Sequence, residues 1–251
     1  MRRGAMIVMA VILGSSVAVG DDNAANDDPR PVILKAIDAQ GGRELLEKYP
    51  AMVAKISGQT TSTGTVMSFT GAMATAVPGR FRLEMAFRIM GRNMTVALAV
   101  IDDNVTQTIN GRRTEPDKFS QTIMLQSQRM QDVTMLTPLV DTDRFKLTRG
   151  PDEAIGDIEA AVVNMQCEGL PDMKLCFDSS TDLLAKVEYI SQAPGGKSVL
   201  EATTFEDYRP TSGMMIPRRQ VTTHDGKLYT SINVDEVKLF EKLDDTWFTL
   251  R

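Results

Sequence analysis

The only two cysteines of the chain, Cys167 and Cys176, lie in one short stretch, MQCEGLPDMKLCFD (165–178). Two cysteines can form a redox pair, hold a metal or close a disulfide. A redox pair favours the spacing C-x-x-C, and a zinc site needs further ligands, whereas the spacing here is C-x8-C. If a hairpin turns between Pro171 and Asp172, the two cysteines lie directly opposite each other. We therefore predict a structural disulfide, with free thiols as the main alternative and no metal site.

The sequence offers little for acid–base or nucleophilic catalysis. His224 is the only histidine, and it precedes Asp225-Gly226 in a predicted hairpin turn, where solvent would reach it. No G-x-S-x-G, H-E-x-x-H or phosphate-binding G-x-x-x-x-G-K motif occurs. The acidic pairs Asp102-Asp103 and Asp244-Asp245 are ordinary turn residues. We expect no catalytic residue and no cofactor, and we rank a hydrolase well below a binding function.

The chain begins with the features of an export signal. Two arginines precede an apolar run that ends at Val19, and an acidic segment follows. This pattern predicts a cleavable signal peptide over 1–20, a disordered leader over 21–30 and a single domain over 31–251. Removal of the two arginines takes the formal net charge from −5 to −7. Such an acidic chain argues against nucleic acid as a partner, and we expect a periplasmic or otherwise exported protein.

Two stretches have helical character. PVILKAIDAQGGRELLEKYP (31–50) begins and ends with proline and predicts a helix interrupted at Gly41-Gly42. The segment 116–140 has apolar residues at helical spacing, which predicts a central helix that ends at Pro138.

Elsewhere apolar and polar residues alternate, as expected of β-strands. One face of FRLEMAFRIM (81–90) carries only apolar side chains, and NMTVALAVI (93–101) matches it if Gly91-Arg92 forms a two-residue turn. That turn would place Phe87 opposite Val96.

Further turn sequences predict more hairpins, at ING (109–111), HDG (224–226) and APGG (193–196). A symmetric hairpin at APGG would oppose two like charges, Glu188 and Glu201, so we expect the register there to slip by one residue.

These elements predict a mainly β fold with some α-helix. The sequence predicts about eleven antiparallel strands and two helices. A sheet of about eleven strands is too large to stay flat. We expect a strongly curved sheet, an unclosed barrel, with the helices covering its concave face.

The order of strands and turns in the second half resembles a known superfamily. FDSSTDLLAKVEYI is followed by TTFEDYRPTSGMMIPRRQVTTHDGKL and then by INVDEVKLFEKLDDTWFTL. This succession resembles the periplasmic lipoprotein carriers of the LolA/LolB-like superfamily, and the first half is compatible with it. The resemblance implies an unclosed antiparallel barrel with an apolar cavity for acyl chains and no catalytic residues. The cysteine pair departs from the superfamily, which indicates a divergent branch with a different cargo.

Two functions follow as expectations. The first is an exported carrier that binds a lipid or lipoprotein acyl chain, without a cofactor, and exchanges it with membrane-bound donor or acceptor proteins. The alternative is a cell-envelope sensor or scaffold of the same fold that contacts a protein partner. Methionines on the sheet and central helix either fill an irregular core or line a deformable cavity. For the carrier, the expected lining comprises Phe81, Leu83, Met85, Phe87, Leu98, Ile123, Met124 and Met130.

Overall fold

One antiparallel sheet dominates the computed structural model, which describes residues 28–61, 64–141, 144–193 and 196–250. The predicted signal peptide lies outside these residues. The first six strands are β1 (Ala51–Thr60), β2 (Met67–Ala76), β3 (Arg80–Ile89), β4 (Arg92–Ile101), β5 (Asn104–Ile109) and β6 (Arg112–Thr114). The other eight are β7 (Lys146–Arg149), β8 (Glu153–Ile155), β9 (Ile158–Gln166), β10 (Met173–Asp178), β11 (Leu184–Gln192), β12 (Ser198–Thr211), β13 (Met214–His224) and β14 (Lys227–Phe240). The helices are α1 (Arg30–Gln40), α2 (Arg43–Lys48), α3 (Lys118–Thr134) and α4 (Thr137–Asp141), with a short 3-10 helix at Asp245–Trp247.

The strand order confirms the predicted fold class. Within the described residues the strands follow the path β6-β5-β4-β3-β2-β1-β14-β13-β12-β11-β10-β9-β7, with β8 paired to β9, and the two ends of the path do not meet. The sheet is therefore not closed into a barrel. The strand count exceeds the predicted eleven because strands such as β7 and β8 have only three or four residues, too few to show an alternating pattern.

The predicted break in the N-terminal helix is present. α1 ends at Gln40 and α2 begins at Arg43. Between them Gly41 has φ 134°, and a Cβ atom there would lie 2.8 Å from the carbonyl oxygen of Gly213 in the β12–β13 turn. Glycine is thus required both by the backbone conformation and by the close approach of the neighbouring turn.

The central helix is divided into two. α3 begins after Asp117, whose side chain accepts a hydrogen bond from the backbone N–H of Ser120 at 2.7 Å. It ends at Thr134, and Leu136 then has φ 61° before α4 begins. The prediction of one helix up to Pro138 was therefore wrong at its C-terminal end. Pro138 lies in the first turn of α4, where proline fits.

The β3–β4 hairpin has the predicted faces but not the predicted turn. Its turn is Met90-Gly91, both at positive φ, and Phe87 lies opposite Met94 instead of Val96. Because the shift is two residues, every side chain keeps its face. At APGG the predicted one-residue slip is present, since Glu188 lies opposite Ala202 and Tyr189 opposite Glu201.

The predicted disulfide is absent, and both cysteines are buried free thiols. The β9–β10 hairpin places Cys176 opposite Val162, whereas Cys167 follows the last residue of β9. Val162 and Gln166 are four residue steps apart on β9, a distance of about 13 Å, which is well beyond the Cα separation that a disulfide allows. The predicted pairing is wrong because the connection from β9 to β10 is a six-residue loop that is not centred at Pro171.

The helices pack on one face of the sheet, which we call the inner face. Two apolar clusters occupy it. The first joins α1, α2 and α4 to β9–β13 and includes Ile33, Leu46, Leu139, Met165, Leu175 and Phe177. The second joins α3 to β1–β4 and includes Ala54, Phe69, Phe87, Val100 and Met124.

The opposite, outer face is covered at one end by the C-terminal segment. Phe248, with 0% of its surface exposed, packs with Leu243 against Ala51 and Ala74. Small side chains at these outer positions leave room for the phenylalanine ring. The tail is thus an integral part of the fold.

A network of charges lies on the outer face of β10 and β11. The Lys174 ammonium contacts the carboxylates of Glu153, at 2.8 Å, and Glu188, while Lys186 contacts Glu188 at 2.8 Å. The hydrogen bond from Lys174 holds the pKa of Glu153 below its usual value. Burial, reinforced by Glu153, raises the pKa of Cys176 to about 12, so this cysteine is a protonated thiol at neutral pH and not a nucleophile.

One edge of the sheet is β6, and the other is formed by β7 and β8, which both pair with β9. β6 has three residues, with exposed Arg112 and Arg113. β7 has four, beginning with exposed Lys146 and ending with Arg149.

Candidate functional site

A cavity of about 220 Å³ lies between the inner face and helices α1 and α3. Its walls come from seven neighbouring strands, β3, β2, β1, β14, β13, β12 and β11. At about 4.8 Å per strand, seven strands laid flat would span roughly 29 Å, far more than the width of such a cavity. The sheet therefore curves around it.

Three of the eight predicted residues line the cavity, namely Phe81, Leu83 and Met130. Four others, Met85, Phe87, Leu98 and Met124, belong to the adjoining apolar cluster under α3. Ile123 is half-buried on α3, outside the cavity lining.

Much of the cavity wall comes from residues that the sequence argument did not select. Apolar members from β1, β2 and the second half of the chain are Met52, Met73, Phe205, Met214, Ile232 and Val234. Apolar and polar residues alternate only weakly in these strands. The strands of the two halves of the chain meet only because β1 pairs with β14, which is far away in the sequence.

A row of polar side chains crosses three strands at one side of the cavity. Tyr189 lies opposite Glu201, and Glu201 lies opposite His224. The hydroxyl of Tyr189 donates to Glu201 Oε1 at 2.5 Å, and His224 Nε2 lies 3.1 Å from Glu201 Oε2. The ring of His224 stacks on that of Tyr229, with ring centres 3.8 Å apart. We call Tyr189, Glu201 and His224 the polar row.

The polar row is largely shielded from solvent. Side-chain exposure is 14% for Glu201 and 13% for His224. Burial, and next the nearby Glu201 carboxylate, raise the pKa of both Tyr189 and Tyr229. The Tyr189 hydroxyl is therefore protonated at neutral pH and acts as a donor to the carboxylate.

The position of His224 corrects the sequence argument, which placed it in solvent at a hairpin tip. His224 is the last residue of β13, but its side chain turns inward to Glu201. The register slip at APGG is the sequence feature that indicates this arrangement. In the observed register Glu201 lies opposite Tyr189 instead of Glu188.

Other polar groups share the cavity wall. The hydroxyls of Thr203 and Thr222 lie 2.9 Å apart and form a hydrogen bond with each other. This pair lies two residues along β12 and β13 from the pair of Glu201 and His224. From α1, Gln40 also lines the cavity, and its Oε1 atom is buried without a hydrogen-bond partner in the part of the chain that the structure describes.

Neither a metal site nor a membrane-spanning helix is found among the described residues. They contain no group of three histidine, cysteine, aspartate or glutamate side chains that could hold a metal ion. None of their helices is both long and apolar enough to cross a membrane.

The fold has counterparts among solved structures. A LolA superfamily protein from Nitrosomonas europaea aligns with a TM-score of 0.57 at 12% identity, over 88% of this chain and 96% of its own. This chain has a LolA-like fold. A DUF1329 family protein from Desulfovibrio piger aligns with a TM-score of 0.56 at 12% identity, covering 89% of this chain and all of its own. A putative outer membrane lipoprotein-sorting protein domain from Vibrio parahaemolyticus gives 0.52 at 10% identity, over 86% of this chain and 97% of its own.

These alignments confirm the predicted resemblance at the level of the LolA-like fold. No protein-family model and no curated protein matches the sequence. At identities of 10–12% the likeness concerns the course of the chain, so the function must be argued from the cavity itself.

Proposed function

We propose that this protein is an exported, non-enzymatic carrier that holds the acyl chain of a lipid or lipoprotein in the cavity between the sheet and helices α1 and α3. The observation that carries the proposal is the apolar wall of that cavity, which seven strands and two helices build. Burying an acyl chain there contributes about 0.8 kcal/mol per methylene, so transfer between donor and acceptor needs only a difference in affinity for the chain.

The cavity walls are suited to a flexible ligand. The cavity volume of about 220 Å³ is below the ~300–1,000 Å³ typical of ligand pockets, so a long acyl chain requires side chains to move. Methionine side chains repack easily because they are unbranched and have three rotatable bonds. Five of them line the cavity: Met52, Met73, Met130, Met135 and Met214. This placement favours the deformable cavity over a methionine-filled core.

The test is lipid binding by the purified mature protein, measured by native mass spectrometry after lipid extraction and readdition. Met130→Asp places an unpaired carboxylate in the cavity and should abolish binding. Met90→Asp is the matched control, because Met90 is 99% exposed at the β3–β4 turn, and this variant should bind as the wild type does. Ser127→Trp, also at the cavity wall, should block binding by filling space instead of adding charge.

Thermal melts must show that the cavity variants are folded. A charged substitution at Phe87 would be less informative than Met130→Asp, because Phe87 is buried in the adjoining cluster and does not line the cavity. If no lipid co-purifies and none binds on addition, the carrier proposal is wrong. The alternative of a sensor or scaffold that contacts a protein partner would then be the function to pursue.

A further inference from the structure

The Glu201 carboxylate in the cavity wall has unused hydrogen-bonding capacity. Its two oxygens offer about four acceptor positions, of which Tyr189 and His224 occupy two. In the described part of the chain, no lysine or arginine lies within ion-pair distance of Glu201; its one such partner is His224. A shielded carboxylate with an incomplete set of partners is costly unless a further donor reaches it.

The cavity wall also presents an acceptor without a partner and several aromatic rings. Besides Glu201, the buried Oε1 atom of Gln40 is an acceptor without a partner among the described residues. The rings of Tyr189, Phe205 and Tyr208 also line the cavity. A cation with several N–H donors complements these groups, because it hydrogen-bonds to carboxylate and amide oxygens and is attracted to aromatic faces.

We propose that the polar row binds the ammonium group of a cationic amphiphile, with the Glu201 carboxylate as its principal partner. This inference rests on the proposed function for the apolar part of the ligand and adds the chemistry of its head. Tyr189 holds the carboxylate through one oxygen, and His224 holds it through the other. The acyl or alkyl chain then extends along the methionine-lined wall.

The experiment compares three single-chain probes that differ only in the head group: dodecylamine, dodecanol and dodecanoate. Binding to the purified mature protein is measured by isothermal titration calorimetry at neutral pH, below the probes' self-association limits. An alkylammonium has a pKa of about 10, like lysine, so dodecylamine carries its charge. A charge-assisted hydrogen bond predicts affinity for dodecylamine about tenfold or more above that for dodecanol, with dodecanoate the weakest.

Two single-residue variants test whether Glu201 is the source of the preference for dodecylamine. Glu201→Gln keeps the size and hydrogen-bonding ability of the side chain but removes its charge, and it should reduce dodecylamine affinity about tenfold while leaving dodecanol affinity unchanged. Glu206→Gln is the matched control, because Glu206 is a glutamate on the same strand that pairs with Arg219 at 3.4 Å near the surface. This control should keep the full preference for the amine.

The outcomes separate the two proposals. If all three probes bind equally well, the carrier proposal stands and the ammonium site is wrong, since Glu201 and His224 would then be a structural pair. If dodecanoate binds best, the ammonium site is equally wrong. If none of the probes binds, the carrier proposal itself fails. The affinities of the wild-type protein for the three probes test the ammonium site even if Glu201→Gln does not fold.

Discussion

Phe248 allows a sharp test of the C-terminal segment as part of the folded domain. Its ring is fully buried on the outer face against β1 and β2, in a cluster with Ala51, Ala74 and Leu243. Truncation of a buried phenylalanine to alanine costs about 3–5 kcal/mol, because the lost transfer free energy is joined by the cost of a cavity. For a domain of this size each kcal/mol lowers Tm by about 2–4 °C. Phe248→Ala should therefore lower Tm by about 6–20 °C.

The adjacent Trp247 is the matched control. It is 41% exposed, and its ring lies 6.2 Å from that of Phe240. Trp247→Ala should cost about 1 kcal/mol or less, a fall in Tm of no more than about 4 °C. Thermal unfolding followed by circular dichroism, with urea unfolding as a second measure, gives both values. Equal effects of the two variants, or a cost below about 1 kcal/mol for Phe248→Ala, would refute the packing of the tail described above.

Three further predictions concern stability and thiol chemistry. Glu153→Gln should destabilise the protein by about 1–2 kcal/mol at pH 7. Since the folded-state pKa of Glu153 is lowered from its usual 4.5, this stabilisation is present above pH 4.5 and is lost as pH falls through the lower folded-state pKa. The gap to wild type should therefore narrow below pH 4.5 in pH-dependent urea titrations. Alkylation under native and denaturing conditions without reductant should show Cys167 and Cys176 both free, with Cys176 unreactive until the protein unfolds. A mass lower than that of the dithiol by two hydrogen atoms would contradict this. Gly71→Ala should cost about 1–3 kcal/mol in urea unfolding, because the new Cβ would lie 2.0 Å from the carbonyl oxygen of Glu84, and an unchanged urea midpoint would show that the strands separate freely there.

Local patterns predicted the parts of the fold that depend on neighbouring residues in the sequence. The alternation in 81–90 identified the inner face of β3, and Gly41-Gly42 marked the break between α1 and α2. The repulsion between Glu188 and Glu201 identified the register slip between β11 and β12.

The features that the sequence did not reveal depend on longer connections and distant pairings. Cys167 and Cys176 were misplaced because a six-residue loop does not set the register as a two-residue turn does. The polar row needs β11, β12 and β13 in mutual register before His224 meets Glu201. The C-terminal segment covers part of the outer face because Phe248 folds back onto β1 and β2. No periodic pattern in the sequence predicts this packing.

The edges of the sheet bear on how this protein avoids self-association. An unclosed sheet exposes unpaired backbone groups along both outermost strands, and these can template the addition of a strand from another molecule. Here β6, β7 and β8 offer only three or four residues each, and exposed arginine or lysine side chains project from β6 and β7. Two copies that approached through β6 or β7 would bring like charges together over a very short ladder, so the open architecture should resist aggregation during folding without needing to close into a barrel.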